Sequence, residues 1–130
     1  MKKLFPNSSL TTNVPTSSDM STSFDANVYN TARRYVDDAD IPSKYPTFDR
    51  HVHEYVGKLT VTKLMTLPRG SRIDLMTALE YANDVMDEYG TRLGEKQGKM
   101  IMRLLQMNES FDDFVGDVAI QIMDWCNTGA

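Results

Sequence analysis

From Ser71 to Gly90 the apolar residues Leu75, Leu79, Ala82, Met86 and Tyr89 recur at steps of four and three, which stacks them on one face of a helix. Ser71 with Asp74 three residues on fits a capping box, and Gly90 suits a left-handed stop. The pattern predicts a helix over 71–90 that needs a partner for its apolar face. Leu79 is expected among its most buried positions, where truncation to alanine costs about 2 to 5 kcal/mol.

The same periodicity marks other segments. Phe24, Val28, Ala32, Tyr35 and Val36 predict a helix up to about Ala39, which Asp40-Ile41-Pro42 stops because the residue before a proline is pushed out of the helical region. Thr47 opens a second, with Phe48, Val52, Tyr55, Val56 and Leu59 on one side. Residues 58–67 alternate like a strand for a few positions, but no second strand exists for them to pair with, so the helix is read on to Leu67.

Pro68-Arg69-Gly70 is then a short connection between packed neighbours. Thr91 caps a helix to about Met107, with Leu93, Ile101, Leu104 and Leu105 facing inward and Met100 and Met102 facing different ways. Gly94 and Gly98 allow either a close approach of helix backbones or a first turn that is loop, and the polarity of their surroundings favours loop. Ser110 and Asp113 repeat the capping-box spacing ahead of a strong face of Phe111, Phe114, Val115, Val118, Ile122 and Trp125. Ile120, Met123 and Gly116 form a second, narrower stripe on that last helix.

These elements predict an all-α fold, a small irregular bundle of four to five helices. Before it lies an extended arm, residues 1–23, in which ten residues are Ser or Thr. Such a composition cannot bury enough surface by itself to offset its ordering entropy. Residues 24–130 form a single helical domain, consistent with a length of 130 residues.

Composition narrows the classes. Hydrophobic residues at 41% and charged residues at 25% are ordinary for a globular chain, and no segment approaches the ~20 apolar residues of a membrane span. With one cysteine, Cys126, no internal disulfide can form. No secretion signal is seen, so the expected location is intracellular, in the cytoplasm or within a virion.

The net charge of −4 is unevenly spread: residues 47–70 carry four bases against two acids, whereas 108–130 carry five acids and no base. That acidic end is poorly suited to a phosphate backbone or an anionic membrane.

No catalytic or cofactor constellation emerges. His51 and His53 with Glu54 are the nearest to a metal site, but a spacing of two turns the rings to different sides of a helix, and no further ligand completes the set. Asp37, Asp38 and Asp40 lack the glycine and distal glutamate of a calcium loop. The stretch around Gly94 and Gly98 lacks the spacing, the hydroxyl residue and the preceding strand of a phosphate loop. The expectation is no cofactor and no metal.

Three function classes follow. The leading one is a non-enzymatic structural or assembly subunit acting through protein contacts, a component of a viral particle or other large complex, motivated by the arm, the two-sided last helix and nine methionines. Its expected contact, with a protein partner or in a homo-oligomer, is Ile120 and Met123 rimmed by Asp117 and Asp124, an apolar centre in an acidic frame that selects a basic surface. In the other reading of this strip, the arm or the first helix covers Ile120 and Met123. The alternative is a helix-turn-helix regulator using Lys63, Arg69 and Arg72. Against it, the reading helix carries Asp74, Glu80, Asp84, Asp87 and Glu88 against Arg72 alone, which disfavours nucleic acid. The third is a metal-dependent enzyme at His51, His53 and Glu54.

Overall fold

The computed structural model describes residues 25–129, and the Ser/Thr-rich arm falls outside them. The described residues form six helices and no strand: α1 Ala26–Ala39, α2 Ile41–Lys44, α3 Arg50–Met65, α4 Leu75–Arg92, α5 Glu95–Gln106 and α6 Phe111–Asn127. Five are long and α2 is a single turn, so the chain is the small all-α bundle that the periodicity predicts. α4 is the hub. It packs most extensively on α6 and also contacts α3 and α5, while α1 lies along α3.

Local chemistry sets the ends. The Asp25 carboxylate accepts from the amides of Asn27 and Val28 at 3.0 and 3.2 Å and so caps α1. α1 ends at Asp40, whose φ of 50° is left-handed. α2, not anticipated from the sequence, is the turn that Pro42 can still begin, since a proline near a helix start loses no needed donor.

α3 settles the ambiguous 58–67 stretch as helix to Met65. Its threonines fit because they fold back: Thr60 and Thr62 hydroxyls donate to the carbonyls of Val56 and Lys58, each four residues earlier, at 2.8 and 3.1 Å. Its cap is Asp49, accepting from His51 N–H at 2.8 Å, two residues beyond the expected Thr47.

In α4 three details differ from the sequence reading. Asp74, not Ser71, is the cap, accepting from the Thr77 amide at 2.9 Å. Ser71 is denied that role because Arg72 takes a left-handed φ of 56° and Ile73 is held by Asn127, so the helix cannot start earlier. Gly90 lies inside the helix, which runs on to Arg92 and makes Thr91 a helical residue and not a cap.

The buried arc is Ala78, Ala82, Val85, Met86 and Tyr89, whereas Leu79 is only half-buried and Leu75 is exposed. The hub position explains the rotation. A helix touching three others turns its smallest residues, Ala78 and Ala82, to the tightest contacts and leaves leucines at the edge of the arc.

At the α4–α5 turn, Gly94 adopts φ 91°. Gly98 answers the open alternative in favour of close approach, because a Cβ there would overlap the carbonyl oxygen of Gly90 and lie 2.9 Å from its carbon. α6 brings Phe114, Val118, Ile122 and Trp125 into the centre, each at most 2% exposed, while Phe111 is half-buried. Ser110 makes no side-chain cap; Asn108 accepts the Ser110 amide instead, at 2.8 Å.

Candidate interaction surfaces

The end of α6 and the α3–α4 connection are bound to each other by backbone and side chain together. The Cys126 carbonyl accepts from the amides of Gly70 and Arg72 at 2.7 and 3.3 Å. The Asn127 amide pairs with both polar groups of Ile73, accepting from its N–H at 2.8 Å and donating to its carbonyl at 3.1 Å. Trp125 Nε1 donates to the Leu67 carbonyl at 3.1 Å, and the Arg69 guanidinium lies 4.4 Å from the centre of the Trp125 ring and 5.7 Å from that of Tyr35. A cation here also suits the negative end of α6.

This geometry places the residues of the DNA-binding alternative in separate settings. Arg69 is engaged in that latch, and Lys63 pairs with Asp84 at 3.3 Å while lying over Tyr81. Of the three, Arg72 alone is exposed, with neither an ion pair nor a ring contact among the described residues, so they do not form one basic surface.

The histidines also diverge. The His53 ring N–H donates to the Tyr45 carbonyl at 2.8 Å, and the ring packs edge-on against Phe48 and Phe114. His51 lies 3.4 Å from the Tyr89 hydroxyl through Nδ1, and Glu54 pairs with Arg50 at 3.1 Å on the exposed side. The three share no focus, and no group of three or more His, Cys, Asp or Glu among the described residues is placed to hold a metal ion.

A cleft of about 1070 Å³ runs between α1 and α3 down to α6, with a floor that includes Phe48, Val56, Phe114 and Val118. Gln121 also lines it, 5% exposed, and its Oε1 has no hydrogen-bond partner. Its rim mixes Arg33 and Lys58 with Asp37 and Asp40, without a focused charge. No sequence signal marked it, because it forms where three helices diverge.

On α6 the predicted strip is partly real. Ile120 is 46% exposed, whereas Met123 is half-buried against the core, so the strip is narrower than expected. Asp124 is exposed, but Asp117 is drawn sideways to accept the Tyr45 hydroxyl at 2.6 Å. Burial, followed by that bond and the nearby Asp117 and Asp113 charges, pushes the Tyr45 hydroxyl up to about 12.

A second apolar surface was missed by the sequence reading. On α5 and its C-cap, Met100, Leu104 and Met107 are 53%, 58% and 76% exposed. They recur at steps of four and three, the signal of a buried face, yet Gly98 and Leu105 are the residues turned inward. The sequence reading assigned Leu104 to the core because periodicity shows that a face is apolar without showing which face has a neighbour.

No helix among the described residues is long and apolar enough to cross a membrane. No family model, no curated protein and no solved structure matches the chain.

Proposed function

We propose that this chain is a non-enzymatic structural or assembly subunit that works through protein contacts. The observation that supports this most is the α5 stripe, three large apolar side chains on consecutive turns of one helix, each more than half exposed. Isolated exposed apolar residues need no explanation, but an aligned set gains free energy only when another surface covers it. Two of the three are methionines, whose flexible thioethers adapt to a partner. α5 is an interaction helix in this reading, and the other helices hold it in place.

A photo-crosslinking residue at position 104, compared with one at exposed Thr62 on α3, tests the reading in the cells that make the protein. A protein adduct at 104 and none at 62 is expected. No adduct at 104, or equal labelling at both positions, refutes it.

A further inference from the structure

We infer that the surface covering the α5 stripe is the acidic face of α6 in a second copy of this chain. This rests on the protein-contact reading above and adds the identity of the partner.

At about 100° per residue, Lys96 and Arg103 fall beside Met100, Leu104 and Met107 on the α5 wheel. Both are exposed, and neither makes an ion pair among the described residues. On α6, Asp113, Asp117 and Asp124 fall beside exposed Ile120, and none of them makes an ion pair there either. One chain therefore presents an apolar stripe edged with base and another edged with acid. Pairing α5 with α5, or α6 with α6, sets like charges against each other. Pairing α5 with α6 neutralises both edges.

Shape agrees with charge. Met100 to Met107 and Gly116 to Met123 each span seven steps along a helix, about 10 Å. A Cβ built at Gly116 meets nothing within 4 Å, so the glycine leaves a shallow notch one turn from Ile120. A side chain from the α5 ridge can enter that notch, as ridges enter grooves in packed helices. Because α5 and α6 touch each other within the fold, two copies can satisfy both pairings mutually, or each can pass the contact on to a third.

Charge reversal in the full chain tests this by sedimentation equilibrium. Wild type is expected to self-associate, and less so as salt is raised. Lys96→Glu with Arg103→Glu makes both faces acidic, and Asp113→Lys with Asp124→Lys makes both basic. Each double variant alone should keep its helical circular dichroism and associate at least about tenfold more weakly. An equal mixture of the two restores opposite charges across every α5–α6 contact and should recover association. A wild type that stays monomeric at all concentrations, reversed variants that associate normally, or a mixture that stays monomeric overturns the inference. If wild type is monomeric but the residue-104 crosslink captures a different protein, this inference falls and the proposed function stands. If that crosslink captures nothing, both fall.

Discussion

Two glycines facing each other across the α4–α5 hairpin should respond oppositely to the same methyl group. In a helix interior, Gly→Ala ordinarily gains about 0.5 to 1 kcal/mol. At Gly98 the new Cβ would overlap the Gly90 carbonyl oxygen and sit 2.9 Å from its carbon, and backbone on both sides cannot turn away. Relief requires the helices to separate by on the order of 1 Å, loosening Met102 and Leu105; overpacking of this kind costs about 1 to 3 kcal/mol. The gain offsets part of that, so Gly98→Ala should lose about 1 to 2 kcal/mol net.

At Gly90 the nearest atom to an added Cβ is Met102 Cγ at 3.1 Å, part of a flexible side chain that can give way. Gly90→Ala should therefore stay within about 0.5 kcal/mol of wild type, on the stabilising side. Urea denaturation followed by far-ultraviolet circular dichroism measures both. A Gly98→Ala variant as stable as wild type would refute the claim that these backbones are in contact.

Other perturbations probe separate parts of the fold. Gln121→Met keeps the volume and removes a buried, unpartnered carbonyl oxygen, so stability should hold or rise by about 1 kcal/mol, and a clear loss would mean the amide is satisfied from the cleft. Asn127→Ala removes both bonds to Ile73 and should cost about 1 kcal/mol, read in the same denaturation experiment; no change would mean that water replaces the amide without penalty. The raised pKa of Tyr45 means that the folded state prefers the protonated hydroxyl. Its contribution is complete below the ordinary tyrosine pKa of 10 and is lost as pH climbs through about 12. Absorbance titration of wild type against Tyr45→Phe should show that the tyrosine missing from the variant is a late one, and a missing tyrosine that titrates near the ordinary value of 10 would contradict its burial and the Asp117 bond.

The bundle was legible in the sequence because helix periodicity and proline each act locally. Even the doubtful 58–67 stretch resolved by elimination, since no partner strand existed. Rotation about a helix axis was less legible. Leu79 and Leu104 belong to correct periodic patterns, yet one sits at the margin of its buried arc and the other faces outward, because burial depends on neighbours brought from far along the chain. Caps were misplaced for a related reason: Ser71 has the right spacing, but Asn127, 54 residues from Ile73, holds the segment before α4 out of the helix. Of the candidate site, Ile120 and the acids were visible as a stripe, while the α5 half was hidden by the same ambiguity between a core face and an exposed one.

The latch between α6 and the α3–α4 connection bears on the order in which the molecule forms and opens. Its bonds join residues 54 to 58 apart, so closing it costs more chain entropy than folding the α4–α5 hairpin. The hairpin should appear early and the latch late. Once closed, the latch changes the usual character of a helix terminus, because a last turn that would fray alone is tied to a segment that must leave with it. Amide hydrogens around Gly70 and Ile73 should then exchange together in one opening event, at a rate set by release of the α6 terminus and not by motion of the loop itself.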